Sequence, residues 1–142
     1  MCGIVGITSN NDVTARILGS LKKLEYRGYD SAGIATLKDG NINEVKCEGR
    51  VESLEKSISK TSLQGTIGIG HVRWATHGKP STLNAHPHSS EVVSVVHNGI
   101  IENSTILKKF LEKKGYKFKS QTDTEVIAHL VTDYLKKDNL KN

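Results

Sequence analysis

The first residues of the chain form an unbroken apolar segment that constrains the fold more than any other feature. Residues 2–8 contain Gly3 and Gly6 and no charged side chain. A continuous apolar run of this length is typical of a buried strand. A glycine inside a strand indicates close approach of another backbone or side chain. The sequence therefore predicts that the chain begins with a buried strand.

Cys2 is also a candidate nucleophile, because it directly follows Met1. Met1 is normally removed when the next side chain is as small as that of cysteine. Its removal places a thiol and a free α-amine on one residue, and an amine that titrates near neutral pH can act as the base for the thiol. The alternative is that Cys2 is a small apolar residue at the start of a buried strand.

The composition is that of one ordinary globular domain. The chain has 142 residues, of which 36% are hydrophobic and 25% are charged. It contains no apolar run long enough to span a bilayer and no signal-peptide pattern, so we expect a cytoplasmic protein without membrane contact. The two cysteines, Cys2 and Cys47, provide neither a disulfide framework nor a CxxC metal pair.

The net charge of +5 raises nucleic-acid binding as a possible function. The lysines, however, occur in pairs at predicted helix ends and in the C-terminal tail, and aromatic residues are scarce. The pairs are Lys22-Lys23, Lys108-Lys109, Lys113-Lys114 and Lys136-Lys137. Such pairs are typical of solvated helix faces, so we expect no nucleic-acid partner.

Hydrophobic patterning predicts alternating strands, helices and a hairpin. Strands are predicted at residues 2–8, 32–38, 43–47, 66–72 and 92–97, with a hairpin turn at Asp39-Gly40-Asn41. A first helix is predicted after Asp12, with the apolar stripe Val13, Ile17, Leu21 and Leu24 and an end at Gly28. A second is predicted at residues 51–60, and a third around residues 106–111 with an end at Gly115. A fourth follows residues 122–125, which have the spacing of a capping box. These elements define an α+β or mixed α/β class.

The long segment at residues 74–90 holds both prolines and three histidines without hydrophobic period. A surface loop of this length is usually functional. Arg73, just before this segment, can bind a carboxylate through two parallel hydrogen bonds, and Trp74, its first residue, can cover a small ligand. The alternative is a surface arginine beside a half-buried tryptophan.

Two further positions carry groups suited to chemistry. Asn98 and Gly99 end a predicted strand and can supply a side-chain amide and an approachable backbone N–H, the parts of an oxyanion hole. Asn-Gly is equally the commonest hairpin turn. Asp123 can anchor a substrate ammonium, or simply satisfy the positive end of a helix.

The histidines suggest a metal site, which we do not expect. His86 and His88 share a loop with His77, but no Glu-x-x-His or cysteine spacing accompanies them. His71 and His97 lie in predicted strands. We therefore expect neither a metal ion nor another cofactor.

Together these segments resemble the glutaminase domain of the glutamine:fructose-6-phosphate amidotransferase family. The resemblance spans the whole chain. It is carried by Cys2-Gly3-Ile4-Val5-Gly6, Leu24-Glu25-Tyr26-Arg27-Gly28-Tyr29-Asp30-Ser31-Ala32-Gly33, Gly70-His71-Val72-Arg73-Trp74-Ala75-Thr76-His77-Gly78, Asn84-Ala85-His86-Pro87-His88, Val96-His97-Asn98-Gly99-Ile100-Ile101-Glu102-Asn103 and Thr122-Asp123-Thr124-Glu125-Val126-Ile127.

The resemblance implies an α+β N-terminal-nucleophile hydrolase fold, an αββα sandwich of two antiparallel sheets. It also implies that Cys2 attacks the side-chain amide of L-glutamine, giving a thioester and ammonia, and that water then releases glutamate. Each remaining site residue receives a role by its place in a motif. The implied roles are Arg73 for the substrate α-carboxylate, Asp123 for its α-ammonium, Asn98 and Gly99 for the oxyanion, Trp74, Thr76 and His77 for the loop over glutamine, and Arg27 for orienting the nucleophile.

Related glutaminases share the first motif, notably those of glutamine phosphoribosylpyrophosphate amidotransferase and asparagine synthetase. The motifs Arg73–Gly78 and Glu25–Asp30, however, resemble those of the glutamine:fructose-6-phosphate amidotransferases, which make hexosamines, more closely than those of the other two enzymes. By the same resemblance, residues 1–142 cover part of a type-2 glutamine amidotransferase domain, incomplete at its C-terminus and without the sugar-phosphate isomerase domains. The missing parts would be supplied in cis, as in the family, or in trans.

Three alternatives stay open from the sequence. The chain is a glutaminase fragment, a non-catalytic glutamine-binding or interaction fragment, or the glutaminase domain of another class such as phosphoribosylpyrophosphate amidotransferase. A basic nucleic-acid-binding protein is a weaker fourth interpretation.

Overall fold

A computed structural model of the chain describes residues 1–75 and 78–137. The strands are β1 (Gly3–Thr8), β2 (Ser31–Lys38), β3 (Asn41–Glu48), β4 (Ile67–Arg73), β5 (His88–Ser89) and β6 (Ser94–Val95). The helices are α1 (Thr14–Leu24), α2 (Val51–Thr61), α3 (Ser104–Lys113) and α4 (Glu125–Lys137), and a 3₁₀ turn (Glu25–Arg27) follows α1.

The described strands form two antiparallel sheets. One is four-stranded with the order β1-β4-β2-β3, and the other pairs β5 with β6. The N-terminal strand is therefore an edge strand paired to β4, with Gly3 opposite Val72. The hairpin predicted at residues 39–41 joins β2 and β3. The α+β class with two antiparallel sheets is confirmed.

The hydrophobic core lies between the four-stranded sheet and α1 and α2. The predicted α1 stripe is confirmed, since Val13, Ile17 and Leu21 are fully buried, and each such side chain contributes about 1.5–3 kcal/mol on burial. A Cβ on Gly70 would lie 2.5 Å from Ile17. The absence of a side chain on β4 at that position therefore lets α1 approach the sheet closely.

The opposite face of the sheet carries the segment that leads into β5. A Cβ on Gly33 of β2 would lie 2.1 Å from the carbonyl oxygen of His86. On β3, Lys46 donates a hydrogen bond to the Pro87 carbonyl at 3.1 Å. Helix α4 contacts β5 and β6 from the far side and packs against α3. The described layers thus run from helices through two sheets to helices.

The second sheet is shorter than the sequence predicts. The strand predicted at residues 92–97 pairs only at Ser94 and Val95, with β5 inside the segment predicted as loop. The backbone leaves the ladder after Val95, two residues before His97. The N–H and the carbonyl of His97 are engaged by histidine side chains instead.

The start of α4 also differs from the prediction. Glu125 is the first helical residue and does not reach back to Thr122 as a capping box requires. Its carboxylate accepts hydrogen bonds from the backbone N–H groups of Lys119 and Ser120, at 2.8 and 2.7 Å. Burial by itself raises the pKa of Glu125, but these bonds and that of the Ser120 hydroxyl lower it below its ordinary value. The carboxylate therefore ties the preceding loop to the helix.

Candidate active site

Cys2 lies at the N-terminal end of β1, beside the C-terminal end of β4. The Trp74 N–H points at the Cys2 Sγ with a nitrogen–sulfur distance of 3.3 Å. The Arg27 Nε donates to the Cys2 carbonyl oxygen at 3.0 Å. An N–H directed at the sulfur stabilises negative charge there. Arg27 holds the backbone of the cysteine rather than its thiol.

Two glycines allow this close arrangement. A Cβ on Gly3 would lie 2.8 Å from Val72 and 2.9 Å from Leu24. A Cβ on Gly28, just after the 3₁₀ turn, would lie 2.5 Å from the backbone carbon of Arg73. Chain segments far apart in sequence therefore meet around Cys2 at distances that larger residues would prevent.

A cavity of about 270 Å³ opens beside Cys2. It brings together six of the residues singled out from the sequence. The cavity is lined by Met1, Cys2, Arg73, Trp74, His86, His97, Asn98, Gly99, Ile100, Thr122, Asp123 and Thr124. Arg27 lies behind Cys2 and outside this lining. Thr76 and His77 lie outside the described residues.

Arg73 contributes a buried positive charge to the cavity. The residue is 3% exposed, and its guanidinium donates to the carbonyls of Gly78 and Lys79 at 3.2 and 3.5 Å. These contacts fix the orientation of the planar guanidinium, whose five N–H donors can bind a carboxylate through paired hydrogen bonds. Arg73 also ties the loop that follows β4 to the cavity wall.

Asp123 contributes the complementary negative charge. Its Oδ2 accepts a hydrogen bond from the Ile101 N–H at 2.7 Å, and its Oδ1 accepts one from the Thr124 hydroxyl at 3.4 Å. Asp123 thereby joins the start of α4 to the segment that follows Gly99. A carboxylate accepts more than two hydrogen bonds, so it keeps capacity for a ligand ammonium.

Asn98 and Gly99 lie at the exposed rim of the cavity, three and four residues after β6. A Cβ on Gly99 would lie 2.8 Å from the Nε2 of His97. The absence of a side chain at this position keeps the backbone N–H of Gly99 accessible. The pair thus has the groups that an oxyanion hole needs.

Buried histidines form the wall behind this rim. The rings of His71 and His86 stack with centroids 4.1 Å apart and an interplanar angle of 12°. His88 contacts His86 edge-on and shares a hydrogen bond with the Thr122 hydroxyl at 2.9 Å. Among residues 1–75 and 78–137, no group of three or more His, Cys, Asp or Glu side chains is arranged to hold a metal ion.

Burial keeps these histidines neutral. It lowers the pKa of His71 to about 4 and that of His88 to about 3. It also lowers the pKa of His86 well below the ordinary value, with His71, His88 and Arg73 adding to the effect. His86, which lines the cavity, is therefore an uncharged neighbour of Arg73.

Asp30 is a residue of the site that sequence reasoning missed. Its carboxylate accepts hydrogen bonds from the Ala75 N–H and from the Ser31 hydroxyl at 2.9 Å, and its N–H donates to the Arg73 carbonyl at 3.3 Å. Asp30 thus sets the turn that directs the Trp74 N–H at Cys2. Asp30 belongs to the motif at residues 24–33, but the backbone groups of Arg73 and Ala75 that it binds lie more than forty positions away, so no local pattern revealed these contacts.

Comparison with known proteins shows which family this chain is similar to. The family described as "Glutamine amidotransferase domain" matches residues 73–142. The glutamine–fructose-6-phosphate aminotransferase (isomerizing) of Clostridium acetobutylicum is 57% identical over 142 residues, covering 99% of this chain and 23% of the relative. The enzyme of the same name from Brucella suis is 56% identical over 137 residues, covering 96% of this chain and 23% of the relative.

Solved structures agree on the fold. The glutamine phosphoribosylpyrophosphate amidotransferase of B. subtilis, complexed with ADP and GMP, matches with a TM-score of 0.77 at 29% identity, covering 93% of this chain and 29% of that one. A structure of the allosteric regulatory enzyme of purine biosynthesis matches with a TM-score of 0.76 at 30% identity. The N-terminal-nucleophile amidotransferase fold implied by the motifs is confirmed.

The fold and the matched residues place this chain among the glutamine amidotransferase domains. Within that class, its sequence resembles the glutamine–fructose-6-phosphate aminotransferases far more closely than the phosphoribosylpyrophosphate amidotransferases. The chain spans about a quarter of the length of the curated relatives it matches. No helix among the described residues is long and apolar enough to cross a membrane.

Proposed function

We propose that this chain hydrolyses the side-chain amide of L-glutamine to glutamate and ammonia, as the glutaminase part of a glutamine–fructose-6-phosphate aminotransferase. The observation that carries the proposal is the single cavity shared by Cys2, the Arg73 and Asp123 charges, and the Asn98-Gly99 pair. These groups come from four separate parts of the chain and are the ones that the reaction needs.

The first chemical step forms a thioester. The Cys2 Sγ attacks the amide carbon of glutamine, and the carbonyl oxygen becomes an oxyanion that accepts hydrogen bonds from the Asn98 amide and the Gly99 N–H. The α-amine of Cys2, free once Met1 is removed, takes the thiol proton and passes it to the leaving nitrogen. The carbon–nitrogen bond breaks and ammonia departs. Water then cleaves the thioester by the same route and releases glutamate.

The substrate is held by its two α-groups. Arg73 binds the α-carboxylate and Asp123 the α-ammonium, which selects free glutamine over glutamine within a peptide. Trp74, which is 48% exposed beside the cavity, covers the ligand together with Thr76 and His77. Arg27 orients Cys2 through the carbonyl that it binds.

The ammonia is consumed elsewhere in the protein. We propose that residues 1–142 are part of a type-2 glutamine amidotransferase domain. The rest of that domain and the sugar-phosphate isomerase domains, in cis or in trans, transfer the ammonia to fructose 6-phosphate. We place the protein in the cytoplasm, without a nucleic-acid or membrane partner and without a metal or other cofactor. Below, "the completed protein" means this chain together with the polypeptide that completes its glutaminase domain.

Covalent trapping tests the nucleophile. A glutamine-analogue electrophile, followed by peptide mapping, is expected to label Cys2 and to spare Cys47. Cys47 is buried, and burial raises the pKa of its thiol, so it is a poor nucleophile. Cys47→Ser is the matched control and should label like the unaltered chain. Labelling confined to Cys47 contradicts the proposal.

A non-catalytic glutamine-binding fragment is the second candidate function. It requires that Met1, which lines the cavity beside Cys2 in the unprocessed chain, is retained, because a retained Met1 converts the α-amine of Cys2 into a peptide nitrogen and removes the base. Intact-mass measurement of the purified protein separates the two functions. Loss of Met1 supports catalysis, whereas full retention of Met1 together with glutamine binding supports the binding fragment.

A further inference from the structure

The backbone just before the Asn98-Gly99 pair is held by two histidine rings. The His71 Nε2 lies 3.1 Å from the carbonyl oxygen of His97, which as an acceptor requires a proton on that nitrogen. The His97 N–H donates to the Nδ1 of His86 at 3.4 Å. Both polar groups of one peptide residue therefore depend on side chains rather than on a strand partner.

The two rings form one rigid unit anchored to the main sheet. His71 is fully buried in β4, between Ile4 of β1 and Gly33 of β2. His86 is 5% exposed, stacks face to face on His71, and places its own carbonyl against Gly33. A ring packed this tightly has little freedom to rotate, so its nitrogen atoms keep a fixed direction.

The segment that these rings hold lies beyond the β5–β6 ladder. Its other supports are single hydrogen bonds on the α4 side: the His97 Nδ1 lies 3.2 Å from the Thr124 hydroxyl, and the Ile101 N–H donates to Asp123. The ladder between β5 and β6 ends at Val95, two residues before His97 and three before Asn98. Asn98 and Gly99 are themselves exposed at the rim. The direction of their amide and N–H groups therefore depends on how His97 is fixed.

We propose that His71 and His86 are positioning residues that aim the Asn98 amide and the Gly99 N–H at the oxyanion. The inference rests on the proposed glutaminase function and adds to it the structural cause of the oxyanion hole. An oxyanion hole accelerates a reaction only when its donors are aimed before the charge forms, since reorientation during the reaction consumes the benefit.

The arrangement requires defined tautomers. His86 must be neutral to accept at Nδ1, and burial keeps His71 neutral as well. His71 carries its proton on Nε2. His86 keeps Nδ1 unprotonated as an acceptor and carries its proton on Nε2. Burial, the adjacent Arg73 charge and the neighbouring His88 and His97 rings all oppose protonation of His86.

Matched substitutions separate positioning from packing. His86→Asn retains an acceptor atom near the place of Nδ1, whereas the similarly shaped His86→Leu removes it. His71→Gln retains a donor near the place of Nε2, and His71→Met removes it. In the completed protein, we expect the Leu and Met variants to lower kcat for glutamine hydrolysis about tenfold to a hundredfold, with KM changed less than about threefold. The Asn and Gln variants should recover most of the loss.

A double substitution shows whether the rings act through the oxyanion donor. Asn98→Ala alone should lower kcat, and adding His86→Leu to it should cost clearly less than His86→Leu costs in the unaltered protein. Equal losses in both backgrounds overturn the proposal. So does a His86→Asn variant as impaired as His86→Leu, because the rings would then act only by packing. An Asn98→Ala variant with full kcat contradicts the oxyanion assignment of the proposed function, and this result is distinct from the other two.

Nitrogen NMR of the chain itself provides a readout that needs no activity. The ¹⁵N shifts of a histidine-labelled sample report which ring nitrogen carries the proton. We expect His71 and His86 to be neutral at pH 7 and protonated on Nε2, and the His97 amide to exchange more slowly with solvent than in His86→Leu. Protonation of either ring on Nδ1 at pH 7, or exchange unaffected by the substitution, overturns the proposal even if glutaminase activity is absent.

Discussion

Acidification should destabilise this chain more steeply than its carboxylates alone would allow. Three histidines, His71, His86 and His88, have pKa values lowered by burial. In the unfolded chain they titrate near the ordinary value of about 6.5. Between these values the unfolded state binds a proton at each histidine and the folded state does not, so the free energy of unfolding falls as pH falls.

The slope follows from the number of protons. One extra proton bound by the unfolded state changes the free energy of unfolding by about 1.4 kcal/mol for each pH unit. Three histidines therefore predict a fall of roughly 4 kcal/mol between pH 6 and pH 5, where carboxylates contribute little. For His71 alone, a pKa lowered to about 4 corresponds to a total of about 3 kcal/mol. Stability is complete above about pH 6.5 and its histidine-linked part is lost progressively toward pH 3.

Urea denaturation followed by circular dichroism at closely spaced pH values measures this slope. The matched variant is His71→Gln, which keeps the donor near Nε2 but does not titrate. Its slope between pH 6 and pH 5 should be about one third smaller than that of the unaltered chain. An identical slope in His71→Gln would refute the argument, as would a total fall below about 1 kcal/mol over this interval.

Three other predictions follow from the same contacts. Gly33→Ala places a Cβ 2.1 Å from a backbone oxygen and should lower the free energy of unfolding in urea by about 3 kcal/mol or more. Gly19→Ala, at a helical position with nothing within 4 Å, is the control and should raise it by up to about 1 kcal/mol. Arg73→Ala and Asp123→Ala should each weaken glutamine binding in calorimetry by about one to two decades, and N-acetylglutamine bound as tightly as glutamine would contradict the clamp. Asn98→Ala should lower kcat in the completed protein by about 10²–10³, and a raised KM with unchanged kcat would assign it to ground-state binding instead.

Much of the fold could be predicted because it depends on local burial. The stripe of Val13, Ile17, Leu21 and Leu24 predicted α1. The first three side chains are fully buried against the sheet, and Leu24 is partly buried. The turn residues at positions 39–41 predicted the β2–β3 hairpin. These signals succeed because helix periodicity and turn geometry are properties of neighbouring residues.

The prediction for residues 92–97 was wrong because a side-chain contact replaced a strand contact. The valine-rich pattern indicated a full strand, yet pairing stops at Val95. His71 and His86 take the polar groups of His97 in its place. Similarly, the spacing of Thr122 and Glu125 indicated a capping box, but the Glu125 carboxylate binds backbone N–H groups of the preceding loop. Neither competing partner is adjacent in sequence to the group that it binds.

The sequence by itself determined the chemical groups of the site: a cysteine at the start of the first strand, the guanidinium of Arg73, the carboxylate of Asp123 and an Asn-Gly pair. It also determined the family, because the motifs that carry these groups occur in one order. Only the tertiary structure decided that the groups share one cavity, that the Trp74 N–H points at Cys2, and that stacked histidines hold His97. The physical reason is that each of these contacts joins residues more than ten positions apart, and their distances depend on sheet register and close packing, which no local pattern records.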